Sequence, residues 1–190
     1  MGDKFKDGVW PVMLTPFTDN NQVDYDALGK LVDWYIENGV AGLFADCQSS
    51  EMFFLTLEDR VQIARFVKER ADGRVSVVAS GHISDSISGQ AEELNAVAET
   101  GVDAVILLTN RLAETGESDE IWLENLKLLL AGLPKDLALG FYECPYPYKR
   151  IISPELLKWC ADTGRFYFIK DTSCSIENIR RRLESIQGSR

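Results

Sequence analysis

"LALGFYECPYPYKRIISPELLKWCADTGRFYFIKDT", residues 137–172, holds two short apolar runs with a helix start between them. Leu137–Cys144 and Phe166–Thr172 are compact and rich in aliphatic and aromatic side chains, as strands are. Between them Ser153 can cap free helical N–H groups, and Pro154 fits a first helical position because its fixed φ is already helical. A strand, a helix and a strand within this span make a βα unit followed by the start of the next.

The same alternation extends through the chain. "VWPVMLTPF" (9–17), "AGLFADC" (41–47), "VSVVASG" (75–81) and "DAVILLTN" (103–110) are the other apolar runs. Six runs start about thirty residues apart, the length of a βα unit. The intervening segments are helical in pattern. "DYDALGKLVDWYIENGV" spaces Leu28, Leu31, Val32, Tyr35 and Ile36 along one face, with Asp24 as N-cap and Asn38-Gly39 as the stop. "TLEDRVQIARFVKERADG" runs from Thr56 to Gly73 with an apolar stripe of Val61, Ala64, Phe66 and Val67. "SISGQAEELNAVAETG" and "DEIWLENLKLLLAGLP" repeat the pattern, and "IENIRRRLESIQGSR" reads as a sixth helix.

Strict alternation calls for a parallel sheet with helices outside it, either an open doubly wound sheet or a closed (β/α)8 barrel. No glycine-rich phosphate-binding fingerprint follows a strand, which weakens the nucleotide-binding open sheet. The expected fold is therefore α/β of the (β/α)8 TIM-barrel type, truncated after about six βα units, with residues 1–190 forming a single, incomplete barrel domain.

Bulk composition narrows the function. The 190 residues are 45% hydrophobic with a net charge of −10, which suits a globular protein and opposes nucleic-acid or anionic-membrane partners by repulsion. No apolar run approaches the roughly 18 to 20 residues of a membrane span. "MGDKFKDGVW" has no apolar leader and carries Lys6 where myristoylation wants Ser or Thr, so the expected compartment is the cytoplasm. Cys47, Cys144, Cys160 and Cys174 lack Cys-x-x-Cys pairing, so free thiols are expected.

Polar residues gather at the carboxyl ends of the strands, where α/β folds place their chemistry: Thr15, Gln48, Ser49, Ser50, Glu51, His82, Asn110, Tyr142, Glu143, Lys170 and Asp171. Period-two alternation puts Phe166, Phe168 and Lys170 on one face. Desolvation beside aromatic rings favours the neutral amine, a nucleophile able to form a Schiff base; the alternative is a lysine that reaches solvent or pairs with Asp171. Ala138, Gly140 and Tyr142 alternate likewise, leaving room for a phenol that can shuttle protons, or for simple core packing. Gln48, Ser49 and Ser50 form a turn suited to a carboxylate, or an ordinary capped loop. His82 either lines the pocket or decorates a loop. Cys47, Cys144 and Cys174 are expected as small buried packing residues rather than thiolate metal ligands.

Taken together, these motifs resemble the dihydrodipicolinate synthase / N-acetylneuraminate lyase family of class I, pyruvate-type aldolases. "GVWPVMLTPF" looks like the family's opening strand, "CQSSEMFFLTLEDR" like its Gly-Thr/Ser-Thr-Gly-Glu segment, "FYECPYP" like its Tyr-Asn-x-Pro strand and "FIKDTS" like its lysine strand. The resemblance implies that Lys170 attacks the ketone of pyruvate or a related 2-oxo acid, that Tyr142 relays protons, and that Ser49 helps hold the substrate carboxylate, with Gln48 beside it as a second substrate-binding residue. It implies a lyase or aldolase with no cofactor and no metal, acting on a small 2-oxo acid as a homo-oligomer. Gln48 stands where the family has a hydroxyl, and "LLTNRLAETGESDE" has no tyrosine where a neighbouring subunit would donate one. Pro147 occupies the place of the arginine that grips a second substrate's carboxylate, leaving Lys149 or Arg150 to substitute. These departures favour a 2-oxo-acid aldolase or lyase other than the biosynthetic synthase, with a catalytically impaired 2-oxo-acid binding module as the alternative.

Overall fold

The computed structural model describes residues 5–189; Met1 to Lys4, on which the leader and myristoylation readings partly rest, and Arg190 lie outside the described residues. Five strands and six α-helices alternate: α1 Tyr25–Glu37, β1 Gly42–Ala45, α2 Leu57–Ala71, β2 Ser76–Ala79, α3 Ile87–Ala98, β3 Ala104–Leu108, α4 Asp119–Ala131, β4 Leu139–Tyr142, α5 Pro154–Asp162, β5 Phe166–Lys170 and α6 Ile176–Ser185. The strands neighbour one another in chain order. β1 and β3 are buried along their whole length, as parallel strands covered on both faces should be. None of the described helices is long and apolar enough to cross a membrane.

Residues 9–17, expected as a strand, make only a parallel bridge from Val12 to Phe44 and an antiparallel bridge from Phe17 to Val23. Pro11 and Pro16 have no N–H to give a ladder. The segment still lies along β1: Met13 N–H donates to Phe44 O at 2.9 Å and Phe44 N–H to Pro11 O at 3.0 Å.

The chain divides into two compact units, Met1–Gly81 with Glu93–Val105 and His82–Glu92 with Ile106–Arg190. In the first, Asp24 caps α1 by accepting the Ala27 N–H at 2.9 Å, and Gly39 at φ 79° follows its end. Thr56 and Asp59 cap α2 reciprocally, each accepting the other's N–H at 3.1 Å. The buried face of α2 is Arg60, Ile63, Ala64, Val67 and Ala71, so of the expected stripe Ala64 and Val67 are buried while Val61 and Phe66 are half-buried. The guanidinium of Arg60 explains the rotation. It donates to Leu55 O at 3.2 Å and pairs with Glu93 at 2.9 Å, which lets a charge occupy a core position.

In the second unit, Trp122 of α4 is wholly buried and donates Nε1–H to Thr109 O at 2.7 Å. Ser153 caps α5 with Pro154 as its first residue, as the sequence indicated. β4 and β5 pair in parallel, with Leu139 opposite Phe166, Gly140 opposite Phe168, Phe141 opposite Ile169 and Tyr142 opposite Lys170. The slip between the first two pairs makes Tyr167 an extra residue, a β-bulge. Phe166 therefore leaves the face of Lys170 and stacks on Phe141, centroids 4.6 Å apart and planes 7° from parallel. The expected shared face of Phe166, Phe168 and Lys170 is thus correct for Phe168 and Lys170 only. Gly140 fits because the strands close over it: an added Cβ would lie 2.7 Å from Phe168 O.

Candidate active site

At the carboxyl ends of β4 and β5, Tyr142 and Lys170 are ladder neighbours on the same face. Lys170 Nζ stands 4.1 Å from the centroid of the Tyr142 ring. Tyr142 is 3% exposed and Lys170 half-buried, so the amine lies against an aromatic wall rather than extending into bulk water. Among the described residues Lys170 Nζ makes no ion pair or hydrogen bond; its recorded contact is the ring face.

Asp171, the carboxylate that sequence proximity offered to Lys170, is directed elsewhere. It pairs with Arg182 of α6 and accepts from Ser173 N–H at 2.8 Å and Ser173 Oγ–H at 2.7 Å. Arg182 also pairs with Glu143, and its Nε–H and Nη2–H donate to Ile152 O at 3.0 and 2.7 Å. Glu143 is wholly buried yet satisfied, since it also accepts from Ile152 N–H at 2.9 Å and Thr172 N–H at 3.0 Å. Sequence reading took Glu143 and Asp171 as site acids and missed Arg182. Inside "IRRRLES" it is indistinguishable from its exposed neighbours Arg180 and Arg181 except by position on the inward face.

The surrounding side chains are mostly structural. His82 Nε2 accepts the Leu108 N–H at 2.6 Å, filling a backbone partner's place at β3. Asn110 ties the loop after β4 by donating to Cys144 O, Tyr146 O and Tyr148 O at 2.9, 2.8 and 2.6 Å. Burial pushes the Cys144 thiol up, opposed by hydrogen bonds from the Tyr146 backbone and the Tyr142 side chain and by the charge of Lys170. Arg150 donates to Glu117 O and Ser118 O and pairs with Asp119 at 3.0 Å, while Lys149 Nζ donates to Thr172 O at 2.7 Å. Both cations that could have gripped a second carboxylate are committed to the scaffold.

The first unit carries Gln48 and Ser49 on a single 3-10 turn, Gln48–Ser50, just past β1. Ser50 is internal: its Oγ–H donates to Met13 O at 2.7 Å, and it accepts the Cys47 N–H at 3.1 Å. Thr15 Oγ1–H donates to Ser50 O at 2.8 Å. Those two hydroxyls build the turn, whereas Ser49 is exposed and Gln48 half-buried. Asp46, which sequence reading passed over, is wholly buried in a left-handed backbone at φ 49°, and neither carboxylate oxygen has a hydrogen-bond partner. Burial drives its carboxyl well above the usual range, against the nearby charge of Arg60.

Among the described residues no three His, Cys, Asp or Glu side chains gather as a metal site. Cys47, Cys144 and Cys160 are buried; Cys174 is exposed at φ 54°, correcting the expectation that it packs inside. The loop after β5 turns it outward.

The model of the dihydrodipicolinate synthetase family matches residues 5–121. A 4-hydroxy-tetrahydrodipicolinate synthase from Methanococcus maripaludis (strain C6) is 31% identical over 186 residues, 94% of this chain and 60% of the relative. The enzyme of the same name from Bacillus subtilis (strain 168) is 27% identical over 89% of this chain and 57% of its own length. Dihydrodipicolinate synthase DapA-2 from Bacillus anthracis superposes with a TM-score of 0.84 at 25% identity, over 96% of this chain and 61% of that one. YagE, a prophage protein of the dihydrodipicolinic acid synthase family from E. coli K12 solved in complex with pyruvate, gives 0.83 at 25% identity, over 95% and 59%. The fold is thus the barrel-type α/β fold of these enzymes, and the chain spans about 60% of the length of those relatives.

Proposed function

Since the chain belongs to the dihydrodipicolinate synthetase family, we propose that it supplies the imine-forming half of a lyase or aldolase reaction on pyruvate or a related 2-oxo acid. The observation that carries the reading is the pairing of Tyr142 and Lys170 at adjacent strand ends, with the amine on the ring and engaged by no carboxylate. In its neutral form the amine adds to the ketone carbon, and loss of water leaves an iminium. That cation is an electron sink: it accepts the pair released when the neighbouring carbon–carbon bond breaks, or returns it as an enamine when the bond forms. Tyr142 carries protons to and from this centre. Ser49, exposed on its own turn, keeps the carboxylate-binding role implied by the resemblance, with Gln48 beside it as a second substrate-binding residue.

The commitment of Arg150 and Lys149 to the scaffold supports a carbonyl partner that brings no carboxylate to that loop. Borohydride reduction in the presence of pyruvate tests the proposal: peptide mapping should find the reduced adduct on Lys170, and Lys170→Ala should abolish it. A well-folded chain that pyruvate and borohydride leave unlabelled refutes the reading. Gln48, standing where the family has a hydroxyl, supports one second reading, a module that binds the 2-oxo acid without turning it over. Labelling of Lys170 without condensation or cleavage of any aldehyde tried would support it. A homo-oligomer completes the proposal, with sedimentation as its test.

A further inference from the structure

We infer that Arg182 is a positioning residue, which holds the backbone on both strands just beyond Tyr142 and Lys170 and so sets the approach of the amine to the phenol ring. The inference rests on the lysine-imine reading above. Glu143 is bonded to Tyr142 and Asp171 to Lys170, and both carboxylates pair with the one guanidinium. Its Nε–H and second Nη2–H reach Ile152 O, and Ile152 N–H returns to Glu143 at 2.9 Å. Thr172 closes the ring: its N–H donates to Glu143 at 3.0 Å and its Oγ1–H to Glu143 O at 2.7 Å.

Beyond the strand ends, one ladder bond continues the backbone pairing, from Glu143 N–H to Lys170 O at 3.2 Å. That bond and the two from Thr172 join the strand ends but leave the angle between them free to vary. Two carboxylates on a planar fork remove that freedom, because the guanidinium fixes the separation and the angle of its partners together. An ammonium can match the charge of the fork but not its plane. The buried ring thereby couples the two side chains proposed to do the chemistry, although Arg182 touches neither.

Pyruvate and borohydride provide the test, with the full chain in three forms: wild type, Asp171→Asn and Arg182→Lys. Asp171→Asn is the milder change, since that side chain is 23% exposed and the Arg182–Glu143 pair survives it. We expect the rate of Lys170 labelling at saturating pyruvate to fall at least about tenfold in both variants, since displacement of a reacting group by about 1 Å costs up to about a hundredfold. The pyruvate concentration giving half the maximal rate should change by less than about threefold, because substrate binding is untouched. Circular dichroism establishes that each variant is folded at the assay temperature. Folded Asp171→Asn that is labelled at the wild-type rate would overturn the inference and leave the imine reading intact. Wild-type chain that is not labelled at Lys170 would overturn both.

Discussion

Replacing Asp46 with asparagine should make the protein more stable at neutral pH. The carboxylate is wholly buried, its oxygens have no hydrogen-bond partner, and the nearest guanidinium, Arg60, is spent on Glu93 and Leu55 O. Burial raises the folded-state carboxyl well above its ordinary range. An unfolded aspartate loses its proton near pH 4. Between that point and the folded value, the folded chain keeps a proton that the unfolded chain has shed, so stability is full below about pH 4 and falls as pH rises. Each unit of difference is worth about 1.4 kcal/mol. Asparagine removes this slope while tolerating the left-handed backbone at φ 49°, which it adopts more readily than most residues. Its buried amide still lacks partners, so the gain is confined to the ionisation. We expect Asp46→Asn to add about 1 kcal/mol or more at pH 7.5, beyond the roughly 0.5 kcal/mol scatter of neutral substitutions. For a chain of this size that raises Tm by about 2–4 °C per kcal/mol. Urea denaturation followed by circular dichroism from pH 4 to pH 8 should show the two stabilities converging to within about 0.5 kcal/mol at the acid end. A variant no more stable at pH 7.5, or a gap that stays constant across the range, would refute the argument.

Gly140→Ala should cost about 1–3 kcal/mol, the usual penalty of overpacking, because the new methyl meets Phe168 O and Ile106 Cδ1 at 2.7 Å; thermal unfolding reads it. Ellman's reagent should titrate one thiol, Cys174, in the native protein at pH 8 and four in urea, since the other three cysteines are buried and burial pushes the Cys160 thiol up to about 12. Tyr142→Phe keeps the ring under Lys170 and removes the hydroxyl. Pyruvate should still be trapped on Lys170, while deuterium entry into its methyl group, followed by NMR, falls about a hundredfold or more.

The helix caps were legible because each rests on one side chain and one backbone N–H: Asp24, Thr56 and Ser153 all stand where the sequence put them. Tyr142 and Lys170 could be brought together on paper because alternation holds over the last three residues of each strand. Phe166 could not, since the bulge at Tyr167 depends on how β5 meets β4 and has no glycine to announce it. The opening strand was overread: apolar content outweighed Pro11 and Pro16, whose missing donors decide the outcome. Arg60, Asp46 and Arg182 went unseen for a shared reason. Each is a charged residue facing inward, and sequence rules send charge to the surface unless its partner is known; the partners of Arg60 and Arg182 lie 33 and up to 39 residues away in the chain.

The slip at Tyr167 divides β5 into two short segments with separate tasks. Upstream of it Phe166 pairs with Leu139 and stacks on Phe141, and downstream Phe168 and Lys170 answer to Gly140 and Tyr142. Mutations that repack the upstream ring can accumulate without rotating the amine, so the scaffold can drift while the chemistry stays in place, and an engineer could exchange either segment alone.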